Sequence, residues 1–472
     1  MESPLLLTRK GLKVCKEAAD GDAIASLKRS LTIAPLAAAG QSSLQAPPVP
    51  FPAYVESATA LYVPRFFPGV AAALPLTADA GADAAAAAGL VFCGSLRQAQ
   101  ADVVKAGIEQ CHRLGGGLLV LPTGFGKTVC ALWMACALGK RTLVLAHKGF
   151  LLDQWAERIA QYVPAARVGR IQQGTVDVEG KDIVLGMMQS VSMRDYPASV
   201  FDGFGLTIVD ECHHISAPVF SRSMFKCTSH YMLGLSATPD RKDGLGPAGE
   251  TPLMAWFLGP VIADRRRQGM PEDVRVAVHA YHCPQYDLPP PMMRGGATIN
   301  LAKVVTGMVQ DAARNELLVS AIAKLAAEGR KVLCLSDRRA HCKLLKALLA
   351  ERCPLKEASL YLGGMKPAEL AAAAATADIL LASYGLASEG LDIPTLDTLV
   401  LSTPRSSIEQ AVGRILRGAP NPLVVDVLDC LGVCYAQHNK RRAFYVACGF
   451  KVERAAAADG YAFVADDDDD AT

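Results

Sequence analysis

The chain has no excess charge of either sign: 48 lysines and arginines against 46 aspartates and glutamates leave +2. Bulk basicity therefore offers nothing to a polyanion, and any nucleic-acid contact has to come from a local groove. Paired cysteines are lacking as well. The 14 cysteines contain no Cys-x-x-Cys spacing, and Cys130, Cys136 and Cys334 lie in apolar runs, where a thiol behaves as a small hydrophobe. That pattern points to a reducing compartment rather than a disulfide framework. Cys430-x-x-x-Cys434 and Cys212-His213-His214 have no second half at a zinc-ligand spacing, so no structural zinc is expected. There is no signal peptide and no apolar stretch long enough to span a bilayer. The expectation is a soluble intracellular protein with no membrane partner.

What the chain does have is length and apolar content. Its 472 residues, 51% hydrophobic, can bury a large core and suggest about three domains. One stretch organises the rest: Gly115-Gly-Gly-Leu-Leu-Val-Leu-Pro-Thr-Gly-Phe-Gly-Lys-Thr128. Leu118 to Leu121 reads as a buried strand that breaks at Pro122 into a glycine-spaced turn, and a helix opens at Thr128. Gly124 and Gly126 let the backbone N–H groups curl around an anion, and the helix N-terminus adds its positive dipole end. Lys127 supplies a point charge for β- and γ-phosphates, and the Thr128 hydroxyl suits Mg²⁺. Leu121 stands where the common phosphate loop has its first glycine.

The first ninety or so residues are a separate piece. Leu12 to Leu31 is loosely helical in pattern, and Ala46 to Pro52 reads as polyproline-like chain. Leu61-Tyr-Val-Pro-Arg-Phe-Phe67 sets an arginine among aromatics, which suits a packing strand better than a nucleic-acid contact. Ala71 to Leu90 is alanine-rich, a linker or a helix. From Leu96 an amphipathic helix runs to about Leu114, and apolar strands then alternate with helices. The strands are Thr142–His147, Asp182–Gly186, Leu206–Val209 and Tyr231–Leu235, which argues a parallel sheet covered on both faces. The pattern lapses from about Gly259 to Thr306, where Arg265-Arg-Arg267, Pro289-Pro-Pro291 and Gly295-Gly296 mark a connection. It resumes with a helix from Asp311 to about Glu328 and strands Lys331–Leu335, Asp378–Leu381, Thr398–Leu401 and Leu423–Val427. The chain ends in a solvated acidic tail, Asp466 to Asp470.

Asp210 and Glu211 stand where the apolar strand Leu206–Val209 ends. In open α/β sheets that edge, beside a phosphate loop, is where ligands bind. Asp210 suits Mg²⁺, and Glu211 can take a proton from a water attacking a γ-phosphate.

Pro122-Thr-Gly-Phe-Gly-Lys-Thr128, Asp210-Glu-Cys-His213 and Ser236-Ala-Thr-Pro239 resemble motifs I, II and III of superfamily 2 helicases and translocases. Ala382 to Asp392 is similar to motif V, Gln410 to Arg417 to motif VI, and Leu96-Arg-Gln-Ala-Gln100 to the adenine-reading glutamine segment. Leu151-Leu-Asp-Gln-Trp155 and Gly234 to Leu245 resemble the XPB-type branch. Leu61 to Phe67, Val425-Asp-Val-Leu-Asp429 and Lys440-Arg-Arg-Ala-Phe-Tyr445 look like helicases of large DNA viruses, a group that includes the poxvirus transcript-release helicase.

The resemblance implies an α/β fold of two tandem RecA-like parallel-sheet domains with a small N-terminal accessory region. The boundaries expected are 1–92 for that region and its linker, 93–260 for the ATP-binding domain, 261–308 for the connection, 309–456 for the second domain and 457–472 for the tail. It implies ATP and Mg²⁺ as cofactors, held by Gln100, Pro122, Thr123, Gly124, Phe125, Gly126, Lys127, Thr128, Asp210, Glu211, His213, Gly390 and Asp392. Thr128 and Asp210 would hold the metal. Arg414 and Arg417, one helical turn apart, would share a face and steady the transition-state charge. Gln410 would position the attacking water. Ser236 and Thr238 would couple hydrolysis to domain motion. Nucleic-acid contacts, mostly to phosphates, fall on Lys148, Gln189, Ser190, Arg338, Gly364 and Ser383. The implied activity is a DNA-stimulated ATPase that moves along and unwinds DNA. An RNA helicase, a duplex translocase without strand separation and a nucleotide-gated clamp are the alternatives. RNA, an RNA–DNA hybrid and transcription machinery enter as further partners, and host cytoplasm, nucleus or virion as locations, by the viral likeness alone.

Overall fold

The computed structural model describes residues 5–8, 11–17, 19–33, 50–68, 89–122, 124–212, 218–227, 229–237, 252–265, 274–293, 299–391, 393–416 and 420–454. The chain divides into two compact units, Met1–Arg266 and Arg267–Thr472.

The first unit is built on an eight-stranded sheet in the order Thr175–Asp177, Val168–Gln172, Ile183–Met187, Thr142–Ala146, Leu206–Val209, Tyr231–Ser236, Gly116–Val120 and Val261–Asp264. All neighbours pair parallel except the first two, which form an antiparallel hairpin. The central strands are buried at every position and mostly apolar because both faces are covered. Leu119 and Leu121 pack on one face with Met134, Trp155 and Ile208. Leu118 and Val120 pack on the other with Leu145, Val209 and Phe257.

Ahead of this sheet lies a four-stranded antiparallel one, ordered Leu5–Thr8, Gly11–Cys15, Ala60–Val63, Val55–Glu56. The helical pattern expected over Leu12 to Leu31 is therefore half right. Its first part is the strand Gly11–Cys15, whose alternating burial suits a sheet with one covered face, and only Gly21–Ser30 is helix, capped by the Asp20 side chain. Leu61 to Phe67 packs as expected: Phe67 meets Trp256 edge-on at 4.8 Å, and the Phe66 N–H donates to the Trp256 carbonyl. Arg65 is spent on this packing, its guanidinium donating to the carbonyls of Ser229 and His230. Most of the proline-rich and alanine-rich stretches lie outside the described residues.

The second unit holds a seven-stranded, all-parallel sheet: Ala358–Tyr361, Ile379–Ser383, Val332–Ser336, Thr398–Leu401, Leu423–Asp429, Arg275–Tyr281, Lys451–Arg454. The helix Ala312–Ala327 starts where expected, because the Asp311 carboxylate caps it by accepting from the N–H groups of Ala313 and Arg314. The stretch 261–308 is more than a connection: Val261–Asp264 is an edge strand of the first sheet, and Arg275–Tyr281 lies inside the second. The acidic tail lies outside the described residues. No described helix is long and apolar enough to cross a membrane.

Candidate nucleotide-binding site

The strand Gly116–Val120 delivers the chain to Leu121 and Pro122, and the helix Lys127–Leu138 leaves again; Thr123, between them, lies outside the described residues. Gly124 and Gly126 adopt φ of 84° and 93°, the left-handed region where a side chain is strained. At Gly126 a Cβ would also fall 2.5 Å from the Gln100 amide nitrogen. Gly126 is the N-cap and supplies no side-chain cap, so an anion can take the place of one at this helix start. The Lys127 ammonium donates to the Leu121 carbonyl at 3.2 Å, and the Leu121 N–H donates to the Ser236 carbonyl at 3.0 Å. The residue standing in for the missing glycine thus links the lysine to the end of the neighbouring strand. Ser236 itself is buried; Thr238 and Pro239 lie outside the described residues. Thr128 is the second residue of the helix.

Gln100 sits in the first turn of the helix Gln98–Leu114 and is 5% exposed. Its amide oxygen accepts from the Arg97 N–H at 2.9 Å, and its amide nitrogen donates to the Phe125 carbonyl at 2.7 Å. Gln100, expected to read adenine, thus also ties the start of its helix to the phosphate loop. Arg97, which the sequence reading passed over, joins it: its guanidinium donates to the same Phe125 carbonyl and lies 5.8 Å from the Phe125 ring centre. The signal was an exposed cation three residues before Gln100.

The strand Leu206–Val209 lies one strand away from the phosphate-loop strand, so Asp210 and Glu211 leave the same carboxyl edge of the sheet. Asp210 is 9% exposed. One carboxylate oxygen accepts the Trp155 indole N–H at 2.9 Å, and the other accepts the Glu211 backbone N–H at 3.0 Å. Burial, reinforced by the neighbouring Glu211 charge, raises the Asp210 carboxyl above its ordinary value, while the Trp155 bond and Lys127 pull the other way. A buried carboxylate with this residual cost of ionisation, beside a phosphate loop, is a donor that fits a divalent cation. Glu211 takes φ of 46°, uncommon for a residue other than glycine. In the sequence Trp155 stands out only within the family-like run Leu151–Trp155. Its signal was chemical, since a buried indole N–H requires an acceptor. His213 lies outside the described residues.

In the second unit Gln410 lies on the short helix Glu409–Val412, and Gly413 to Ile415 follow as turn. Of the common helical face expected for Arg414 and Arg417 only Arg414 is described, in the turn that follows the helix; Arg417 lies outside the described residues. Arg414 is 8% exposed and donates to the Leu391 carbonyl at 2.5 Å, which ties motif VI to the end of motif V. Gly390 ends the helix Tyr384–Gly390, and Asp392 lies outside the described residues.

The six nucleic-acid candidates all follow or end strands at the carboxyl edges of their own sheets. Lys148 caps the helix Gly149–Tyr162, Gln189 is exposed on the helix Met188–Met193, and Gly364 is exposed at φ of 87°. Ser383 ends its strand half-buried. Ser190 and Arg338 make hydrogen bonds of their own. The Ser190 hydroxyl is buried and accepts the Gln173 N–H at 3.0 Å, so that hairpin uses it. Arg338 donates to the Ala302 carbonyl at 3.1 Å.

With this geometry in hand, residues 94–241 match the family model described as "Type III restriction enzyme, res subunit". A protein of Acanthamoeba polyphaga mimivirus, provisionally named ATP-dependent RNA helicase L396, is 31% identical over 93% of this chain and 84% of its own length. African swine fever virus QP509L, named in the same way, is 25% identical over 72% of this chain and 70% of its own. Frog virus 3 helicase 055L is 27% identical over 76% and 79%. The chain belongs to the superfamily 2 helicases. Its fold agrees with a fragment of a type I restriction enzyme HsdR subunit from Vibrio vulnificus, with TM-score 0.52 at 16% identity over 77% of this chain and 69% of that one.

The helicase is thus an ATP-dependent enzyme that acts on nucleic acid. The two late segments that carried the viral likeness form one buried network. Arg441 grips Asp426 with two hydrogen bonds of 2.9 and 2.8 Å, and the Tyr445 hydroxyl donates to the same carboxylate at 3.0 Å. Arg441 also donates to the Arg405 carbonyl, and the Arg405 side chain pairs with Asp337 at 3.1 Å and lies over Tyr384. This network fixes the start of the segment that leads to Gln410.

Proposed function

We propose that the helicase couples Mg²⁺-ATP hydrolysis to movement along DNA and to its unwinding. The observation that carries this reading is the single edge shared by Lys127 on its phosphate loop and the Asp210–Glu211 pair. Thr128 and Asp210 would hold Mg²⁺, which would neutralise phosphate charge. Glu211 takes the proton of the attacking water, and Gln410, Arg414 and Arg417 serve hydrolysis by their likeness to motif VI. Lys148, Gln189, Gly364 and Ser383 contact the strand through phosphates, so binding is sequence-tolerant and weakens as salt rises. The restriction-subunit family model favours DNA. The names of the mimivirus and swine fever virus relatives favour RNA as the second reading.

ATP hydrolysis with Mg²⁺, alone and with single-stranded DNA, duplex DNA or single-stranded RNA, tests the choice, with Lys127→Ala as control. Stimulation by DNA and not RNA, abolished in the control, is the expected result. Equal stimulation by RNA moves the enzyme to the second reading. No stimulation by any polymer overturns the motor and leaves a nucleotide-gated clamp. Strand displacement then separates unwinding from translocation.

A further inference from the structure

Trp155 is 2% exposed, on the helix Gly149–Tyr162, with its ring in the core face that also holds Leu121 and Met134. Packing alone would be served by phenylalanine. The indole N–H is what distinguishes it, and that N–H meets Asp210 at 2.9 Å across 55 positions of sequence. The other Asp210 oxygen is held by a backbone N–H, which every residue at 211 except proline supplies. Among the described residues, Trp155 is therefore the side chain that sets the carboxylate's rotation. Outer partners of this kind fix the orientation of metal-holding carboxylates. The helix that carries Trp155 begins at Lys148, a candidate strand contact, so one rigid element reaches both.

We propose that Trp155 is a positioning residue for the metal site: its indole N–H orients Asp210 for Mg²⁺ and ties that carboxylate to the helix that starts at the nucleic-acid edge. This rests on the nucleotide-site reading above and not on the identity of the polymer. Removing the N–H leaves Asp210 free to turn, so the metal binds more weakly while the nucleotide's own contacts to the loop persist.

The test is Mg²⁺-dependent binding of a fluorescent ATP analogue, without turnover, in wild type and Trp155→Phe. The expected result is a Mg²⁺ half-saturation about tenfold higher in Trp155→Phe, with metal-free nucleotide binding unchanged and native circular dichroism. An unchanged half-saturation in the folded variant overturns the proposal. In an Asp210→Asn background the same substitution should add nothing; an undiminished effect there means Trp155 acts elsewhere and also overturns it. Should Trp155→Phe not fold, the other two tryptophans, Trp133 and Trp256, are replaced by Phe so that Trp155 alone emits. Its fluorescence then has to change when Mg²⁺ is added to the nucleotide complex, and silence overturns the proposal. A wild type that binds Mg²⁺-nucleotide but responds to no polymer sinks the motor and leaves Trp155's role standing. A wild type with no Mg²⁺-dependent binding removes both.

Discussion

Arg314 and Asp429 form an ion pair that solvent does not reach: the guanidinium donates to the two carboxylate oxygens at 2.6 and 2.8 Å, both side chains wholly buried. The third nitrogen donates to the Ser402 carbonyl, and the Tyr286 hydroxyl donates to Asp429 at 2.7 Å. The pair pins the first turn of the helix Ala312–Ala327 to the end of the strand Leu423–Asp429. Arg314→Met strands a buried carboxylate and should cost about 3–5 kcal/mol. Arg314→Lys should rescue little, because an ammonium cannot reproduce the two-pronged contact. Adding Asp429→Leu to Arg314→Met should recover much of the loss. Denaturant unfolding of the three variants checks the order.

His341 gives this unit a pH dependence of known sign. Burial first, and the Arg314 charge second, hold its imidazole down at about 3 against an ordinary 6.5. Its ring nitrogens meet the Ser336 hydroxyl and the Asn315 side-chain oxygen, both at 3.0 Å. The folded state keeps the ring neutral where the unfolded chain protonates it, so the native state binds fewer protons below 6.5. Stability is full above about pH 6.5 and is lost as pH falls towards 3, by up to roughly 4–5 kcal/mol. His341→Gln should flatten the slope of stability between pH 6 and 4 relative to wild type. An equal slope in both proteins would remove His341 as the cause.

These two features mark where sequence reading stopped. The central strands, such as Leu206–Val209 and Val332–Ser336, were legible because burial on both faces makes them largely apolar. The outer strands were not: Val168–Gln172, next to the edge, alternates in burial, and the edge strand Lys451–Arg454 is exposed along its whole length. The phosphate loop and the acidic pair were legible because their chemistry is local in sequence. Trp155 on Asp210, Gln100 on Phe125 and the burial of Ser190 depend on how helices dock, and no spacing along the chain encodes that.

Gly126 tests the loop itself. A methyl group there meets both a left-handed φ of 93° and the Gln100 amide at 2.5 Å. Gly126→Ala has to push Gln100 off the Phe125 carbonyl or flatten the turn, and either deforms the anion cradle. Nucleotide affinity should drop at least about tenfold, the strain of about 1–2 kcal/mol at such a site being concentrated in the loop. The melting temperature should fall by only a few degrees. Titration with a fluorescent nucleotide, set beside a thermal melt, distinguishes a damaged loop from a damaged fold.

Glu211 brings stability and turnover into opposition. Its charge is the second cause, after burial, of the raised Asp210 carboxyl, and its backbone sits at φ of 46°. Glu211→Gln keeps the backbone N–H that Asp210 accepts and removes the like charge beside it. Without Mg²⁺ the variant should melt slightly higher than wild type, by about 1 kcal/mol or less of added stability. With Mg²⁺ and ATP it should bind nucleotide as tightly as wild type yet turn it over at least about a hundredfold more slowly, since no group of suitable basicity replaces the carboxylate. A filter-binding measurement of retained ATP beside a steady-state hydrolysis assay reads both. Normal turnover in the variant would remove Glu211 as the base, and a lower metal-free melting temperature would show that its carboxylate stabilises the fold more than its repulsion of Asp210 costs.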